Sequence, residues 1–425
     1  MMTALALCAV GAEKALSNEL RKLQLPIVSS GFGRVRFTAD QKGLYKSLMA
    51  LRTADRVLLE AANFPAADFD QLFEGVREIA WDQLIPRGSP VVISKVRSKG
   101  SKLSAETSIQ SVSHKAVAEC LCEAWRVNRL PETGNASDRY SSSPSNTNAE
   151  IRIYLDKDQA SIALDLSGDP LFRRGYRTEG GNAPLRETTA AALLLLMGWK
   201  RKYPLYDPFC GSGTIAVEAA LYAWNAAPGL GRSFALSRLA IGDKTVEAQV
   251  REELADKVDF SRIIRISGSD IDGRAAKLAA ANMERAYDLV QRSRSAATRA
   301  DKSKTIPNRE TANGFASCFP SFRRLDMSQA RAAEGEDRGF ILSNPPYGER
   351  LGDLAHAEEN YRVMGHLVQD FPGWTMGFIT NHAGFESHFG KNASWVREIT
   401  NGALNSYFYL YEGAEERHDV DSRRA

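Results

Sequence analysis

The 425-residue sequence contains no apolar run approaching the roughly 20 residues that a membrane-spanning helix requires. Its N-terminus is briefly apolar but carries no basic segment ahead of that run. The alternation through Thr3–Val10 therefore reads as a first strand rather than a secretory signal. Cysteine is scarce. Cys8, Cys120, Cys122, Cys210 and Cys318 form no Cys-x-x-Cys pair, and no Cys/His cluster has zinc spacing. This excludes a zinc-ribbon or disulfide-stapled fold and fits reduced thiols in a cytoplasmic protein, with no metal expected. The six histidines are scattered, and none is assigned to catalysis. Charge almost cancels, 55 Lys and Arg against 52 Asp and Glu, so any surface for nucleic acid must be local.

The length is too great for one ordinary core and implies two or three domains. The first 60 residues read as a small α+β unit: the strand Thr3–Val10, a helix over Ala12–Leu23, a strand at Arg34–Thr38, a helix over Lys42–Ala50 and a strand at Arg56–Ala62. A helix over Asp68–Ala80, a strand at Pro90–Val96 and a long helix over Ser104–Asn128 follow. The stretch Glu132–Ala149, rich in Ser, Asn, Thr and Pro, reads as a loop. Ile151–Leu155 and Ala160–Leu164 form a hairpin about Asp156-Lys-Asp158. Beyond Gly168, apolar strands alternate with helices, the pattern of a parallel α/β sheet. Its strands are placed at Pro204–Tyr206, Ile264–Ser269, Phe319–Leu325, Phe340–Ser343, Thr375–Ile379 and Ser406–Tyr411. Arg292–Ser317 is polar and basic and reads as a surface insertion, and the tail from Glu415 as frayed.

Between a strand and a helix lies Tyr206-Asp-Pro-Phe-Cys-Gly-Ser-Gly-Thr214. Gly211 and Gly213 allow a tight turn and close approach to a ligand. Asp207 at the strand end would repel a pyrophosphate but suits a cation, such as the ammonium of S-adenosylmethionine. The next strand ends in Gly268-Ser-Asp-Ile-Asp272. Asp270 is assigned to ribose hydroxyls, since Asp272 is placed to cap the following helix. Asp326, in Arg324-Leu-Asp-Met327, is a candidate acceptor for an adenine amino group.

The sharpest signal is Phe340-Ile-Leu-Ser-Asn-Pro-Pro-Tyr-Gly-Glu-Arg350. Two prolines remove backbone donors and stiffen the loop, leaving the Asn344 side-chain oxygen and the Pro345 carbonyl as exposed acceptors. Such a pair suits an exocyclic aromatic amine, whose lone pair is delocalised and needs orientation more than a strong base. Tyr347 is expected to offer a face for a flipped base.

Asn344-Pro-Pro-Tyr347 is shared by amino-group methyltransferases acting on adenine, guanine or glutamine amides. Its continuation through Gly348-Glu-Arg350 is more particular. Together with Ser167-Gly-Asp-Pro-Leu-Phe-Arg-Arg-Gly-Tyr-Arg177, Ala183-Pro-Leu-Arg-Glu-Thr188 and Ala227-Pro-Gly-Leu230, it resembles the THUMP-domain RNA guanine-N2 methyltransferases, which include bacterial enzymes acting on 23S rRNA. The resemblance covers the chain to about Glu412. It implies an α/β fold class: a ferredoxin-like domain at 1–58, a THUMP RNA-binding domain at 59–166, a Rossmann-like class I methyltransferase domain at 167–414 and a tail at 415–425. It also implies S-adenosylmethionine as cofactor, held by Asp207, Phe209, Gly211, Gly213, Thr214, Asp270, Ile271, Asp326, Met327 and Asn344, with Asn344, Pro345, Pro346 and Tyr347 at the target base. Some relatives carry a second methyltransferase module, absent here, so a single methylation is expected.

Lys95, Arg97, Lys99 and Lys102 put four positive charges in eight residues, and with Lys115 on the next helix they are expected to contact RNA. Arg173, Arg174 and Arg177 either bind RNA or brace the domains. The competing readings are a transfer-RNA guanine methyltransferase, a DNA adenine methyltransferase, a protein glutamine methyltransferase, and a non-catalytic ribosome-assembly factor. The last is disfavoured by the intact Asp207, glycines and Asn344.

Overall fold

The computed structural model describes residues 1–132, 148–177, 185–298, 318–332, 335–347, 353–402 and 404–413. Gly348–Arg350, Ala183, most of the serine-rich loop, the insert beyond residue 298 and the tail lie outside them.

Seven strands form the first sheet: β1 (Met2–Leu7), β2 (Ile27–Gly31), β3 (Arg34–Ala39), β4 (Arg56–Pro65), β5 (Val91–Lys99), β6 (Ala149–Asp156) and β7 (Gln159–Asp165), in the order β2-β3-β1-β4-β7-β6-β5. All neighbours are antiparallel except β5 and β6. The ten-residue β4 pairs with β1 near its start and with β7 along its length. Residue 58, the expected domain boundary, thus falls inside a strand that joins both halves of one sheet. Alternation sends Val35 and Phe37 of β3, Val57 and Leu59 of β4 and Ile151 and Ile153 of β6 into the core under the helices Glu13–Lys22, Gln41–Ala50 and Glu106–Trp125.

The opposite face has its own small cluster, Leu5, Leu58 and Ala163. It is roofed by long side chains: Arg36 pairs with Glu60 at 2.6 Å, and Asp165 takes both Arg56 (2.6 Å) and Arg152 (3.0 Å). The Arg34 guanidinium lies 5.7 Å from the Tyr154 ring, although β3 and β6 are four strand spacings, about 19 Å, apart along a flat sheet. Lys99 on the far edge reaches the ring of Phe32 at 5.5 Å. The sheet is therefore strongly curled, with this face inside the curl.

The second sheet comprises β8 (Leu205–Asp207), β9 (Ile266–Asp270), β10 (Ser321–Arg324), β11 (Phe340–Ser343), β12 (Thr375–Thr380), β13 (Trp395–Asn401) and β14 (Leu404–Tyr411), in the order β10-β9-β8-β11-β12-β14-β13. β8 to β12 run parallel, and β14 and β13 close the sheet antiparallel. The helices Glu187–Leu196 and Thr214–Ala223 are largely apolar with no solvent-facing polar side, and nearly all their residues are buried. The expected insert is shorter at its start: Arg292 to Ala297 continue the helix Gly273–Ala297, whose inner face buries Met283, Tyr287 and Val290.

The two sheets are docked through specific bonds. Val10 and Thr400 exchange hydrogen bonds, the Val10 amide donating to Thr400 Oγ1 (2.9 Å) and the Thr400 amide to the Val10 carbonyl (3.1 Å). Asp55 accepts from the Thr188 hydroxyl (2.5 Å) and Arg186 (3.2 Å). In the connector, Arg174 is buried, donates to the carbonyls of Leu171 and Arg52, and faces buried Glu218 at 3.5 Å. Arg177 donates to Thr214 Oγ1 (2.6 Å) and the Leu185 carbonyl (3.0 Å). Arg174 thus braces the two units, Arg177 ties the connector to the catalytic unit, and Arg173 alone of the three is exposed.

Candidate active site

In an open parallel sheet the ligand crevice lies past the carboxyl ends of the strands, where the strand order reverses. Here the chain winds outward from β8 to β10 and returns to β11 beside β8, so that point lies between Asp207 and Ser343. The Ser343 hydroxyl donates to Asp207 Oδ1 at 2.5 Å and the Phe209 amide donates to the same oxygen at 3.2 Å. Asp207 is 2% exposed. No cation among the described residues pairs with it within salt-bridge distance, and burial pushes its carboxyl up to about 7 against the pull of those two donors. A buried carboxylate in that condition fits a cationic ligand group.

Gly211 (φ +48°) and Gly213 (φ +80°) take left-handed conformations that other residues adopt at a cost. A Cβ on Gly213 would stand 2.8 Å from that of Ala279. Gly213 is the N-cap of the helix Thr214–Ala223 and offers no side-chain cap, so the first helical amides stay open toward the crevice. That end fits a carboxylate.

The β9 end settles which aspartate is the cap. Asp272 accepts from the Arg274 amide (2.9 Å) and caps the helix, and that bond holds its carboxyl below the usual range. Asp270 accepts from the amides of Gly211 (3.0 Å) and Asp272 (2.9 Å), tying the glycine loop to the second strand. Each of its oxygens keeps a free lone pair for a hydroxyl donor. Ile271 beside it is 63% exposed, an apolar surface at the crevice rim. Phe209 is half-buried and Thr214 buried, while Met327 packs inward. Asp326 is exposed and uses Oδ1 to accept from the Ser328 amide (2.9 Å) and hydroxyl (2.8 Å), which lowers its pKa. It caps its own 3-10 turn.

One expectation fails. Asn344 Oδ1 is not wholly open, because the Tyr347 hydroxyl donates to it and takes one of its two lone pairs, and Tyr347 is 9% exposed rather than offering an open face. The contact is local: the phenol and the amide oxygen stand three residues apart, with the two prolines between them. The loop is held from behind by Tyr361, fully buried, whose hydroxyl donates to the Pro346 carbonyl (3.0 Å) and bonds Thr380 Oγ1 (3.0 Å). Sequence reasoning missed Tyr361, since its only signal is burial.

Glu358, His382 and His388 also converge, with ligand atoms within 4.8 Å of one another. The Gly384 amide donates to His382 Nδ1 (3.1 Å), which leaves the ring proton on Nε2, facing Glu358 at 3.3 Å. That tautomer has no lone pair at Nε2 for a metal.

The proposed RNA contacts divide. Lys95, Arg97 and Lys99 alternate on β5 and share the sheet face opposite the helices, with Lys102 exposed in the turn beyond. Lys115 lies on the helix covering the other face, paired with Glu119 (3.8 Å), and is separated from them by the sheet.

Two family models match this sequence. Residues 174–306 and 314–408, more than half the chain, match the RMKL-like methyltransferase domain. The chain belongs to that family. Residues 3–58 match the RlmL ferredoxin-like domain. Among relatives, the chain is 33% identical over 413 residues to YpsC of Bacillus subtilis, a candidate RNA methyltransferase, covering 96% of this chain and 95% of that protein. It is 31% identical to the ribosomal RNA large subunit methyltransferase K/L of Syntrophotalea carbinolica, covering 96% of this chain but only 53% of the relative, so it spans about half the length of that protein. Two solved structures superpose on 97% of the chain with TM-scores of 0.80. One is SMU.472, a candidate methyltransferase in complex with SAH, 32% identical with 98% of its chain covered. The other, from Listeria monocytogenes, is described as a predicted N6-adenine-specific DNA methylase, 30% identical with 96% covered. The Rossmann-like sheet built on β8 to β14 is therefore a methyltransferase domain.

Proposed function

We propose that this family member is an S-adenosylmethionine-dependent RNA methyltransferase that forms N2-methylguanosine in the cytoplasm, with 23S rRNA or an assembling large ribosomal subunit as substrate. The observation that carries the reading is the placement of Asn344-Pro-Pro-Tyr347, at the end of β11, beside buried Asp207 at the end of β8. The SAH complex of SMU.472 and the names of YpsC and the K/L enzymes support the cofactor and the RNA class.

S-adenosylmethionine supplies an electrophilic methyl on its sulfonium when bound. Asp207 would hold the ammonium of its amino-acid part, and the open amides at Thr214 would hold the carboxylate. Asp270 would accept from the ribose hydroxyls. Ile271, Phe209 and Met327 would flank the adenine, whose amino group Asp326 would take with its remaining oxygen. At the target base, Asn344 Oδ1 and the Pro345 carbonyl would accept the two N2 hydrogens of guanine, localise the nitrogen lone pair and aim it at the methyl carbon. The C–N bond forms as the S–C bond breaks, and the extra proton leaves to water. Asn344 Oδ1 would accept through the lone pair that the Tyr347 hydroxyl leaves open, and the Tyr347 ring would have to swing out to stack on the base. Residues 59–166 would act as a THUMP-type RNA-binding part between the ferredoxin-like residues 1–58 and the catalytic residues 167–414, with Lys95, Arg97, Lys99 and Lys102 on phosphates.

The Listeria relative favours a second reading, adenine-N6 transfer to DNA through the same loop. A census of methylated nucleosides in cells lacking this protein separates the two. Loss of N2-methylguanosine from 23S rRNA, restored by the wild type and not by Asn344→Ala, supports the proposal. An unchanged rRNA census with loss of N6-methyladenine from DNA replaces it.

A further inference from the structure

We infer that a basic cleft at the end of the catalytic sheet opposite the cofactor crevice binds RNA phosphates. The inference rests on RNA being the substrate. The cleft has a volume of about 520 Å³ and lies where the helix Glu13–Lys22 of the first unit meets the loop between the helix Glu187–Leu196 and β8. Lys22, Lys200, Arg201, Lys202 and Arg262 line it, and no carboxylate does.

The charge balance calls for an anion. Arg262 has Asp259 at 4.0 Å, but no carboxylate among the described residues lies within 4.0 Å of the other four cations. Two helices end here, at Lys22 and Leu196, and each contributes about half a negative charge. One unit from two helix ends cannot balance four free cations, so about three positive charges remain uncompensated. Like charges gathered this way repel and weaken the fold unless a polyanion neutralises them.

The geometry favours phosphate over a diffuse ion cloud. The Arg201 guanidinium lies 5.1 Å from the Tyr222 ring, and Arg52 lies 5.5 Å from the same ring. That cation–π contact restrains the Arg201 side chain, and no acceptor among the described residues hydrogen-bonds its guanidinium, so its donors are available to grip a phosphate through two bonds. Lys200 and Lys202 are exposed beside it, and Lys22 comes from the other unit. Docking of the two units thus adds Lys22 to a cleft otherwise lined by the catalytic unit. It would hold the RNA backbone far from the target base and set the orientation of a large substrate. The sequence shows its core as Lys200-Arg-Lys202, a run too short to stand out.

The test measures binding of a fluorescent single-stranded RNA and methyl transfer to 23S rRNA as functions of salt, for the wild type, Lys200→Ala/Lys202→Ala and Arg201→Lys. Each phosphate contact on a single strand contributes about 0.7 to the salt slope, so the double variant is expected to lose about 1.4. KM for rRNA rises and kcat stays unchanged, while Arg201→Lys keeps the slope and loses affinity. An unchanged slope and KM in the double variant, with transfer intact, overturns the cleft alone. Loss of pyrophosphate or ATP binding without loss of RNA binding assigns the site to a free polyphosphate and also overturns it. A wild type that binds and methylates no RNA defeats the functional reading, and this inference with it. Both lysines are exposed, and equal melting temperatures of the variants exclude a folding defect.

Discussion

Replacing Asp207 with Asn should make the cofactor-free protein more stable while removing its affinity for the cofactor. In the folded chain, burial raises the Asp207 carboxyl from 3.8 to about 7. Below the lower value the group is protonated in both states and costs nothing. As pH rises, the unfolded chain ionises first, and the folded state loses about 1.4 kcal/mol per pH unit until its own carboxyl ionises. The loss then levels off at about 4 kcal/mol above pH 7. Asn has the same shape and keeps an acceptor for the Ser343 hydroxyl, but it never ionises. The gain from Asp207→Asn is therefore about 1.5 kcal/mol near pH 5 and about 4 kcal/mol at pH 8, a rise of roughly 8 °C in melting temperature for a domain of this size. S-adenosylhomocysteine, which carries the same ammonium, should raise the melting temperature of the wild type and not of the variant. Calorimetric scans at pH 5 and pH 8, with and without that ligand, read all four quantities. A variant that melts no higher than the wild type at pH 8, or that keeps its ligand shift, refutes the assignment of Asp207 to the ammonium.

Further outcomes follow from the same geometry. Wild-type affinity for S-adenosylhomocysteine should fall toward tenfold per pH unit below about 7, with proton release on binding, because Asp207 must ionise to receive the ammonium; titration calorimetry in two buffers shows it. Gly213→Ala should destabilise the protein by about 1–3 kcal/mol and weaken cofactor binding, since it combines φ +80° with a contact at 2.8 Å to Ala279; denaturant unfolding measures the first. Tyr347→Phe removes the hydroxyl that occupies Asn344 and keeps the ring, so kcat/KM should hold within a few-fold of the wild type. A hundredfold loss would instead give that hydroxyl a direct part in transfer.

Much of this was legible because the relevant residues are consecutive. The Phe340–Ser343 strand ends where its apolar run meets two prolines, and its neighbour β8 ends at an aspartate followed by glycines. The edge strands β2 and β13 were missed because only one side of each is paired, so β2 keeps three exposed residues in five. The curl of the first sheet was invisible because it depends on contacts between β3 and β6, distant in the chain. Two features of the sites escaped for the same reason. Tyr361 acts on Pro346 across fifteen residues, and the basic cleft brings Lys22 beside Lys200 through domain docking; the Tyr347 contact with Asn344 is local but depends on the loop's conformation. Asp270 and Asp272 could be told apart in advance only by capping chemistry, and the structure shows Asp272 at the cap.

The central claim is that the Asn344 loop directs a methyl group to a guanine amino nitrogen in RNA. Purified protein incubated with labelled S-adenosylmethionine and separate pools of unmodified 23S rRNA, transfer RNA, DNA and protein tests it directly, with the products digested to nucleosides and amino acids. The account predicts label in N2-methylguanosine from 23S rRNA, reduced at least about a hundredfold by Asn344→Ala. Label in N6-methyladenine from DNA, or in methylglutamine, would contradict it.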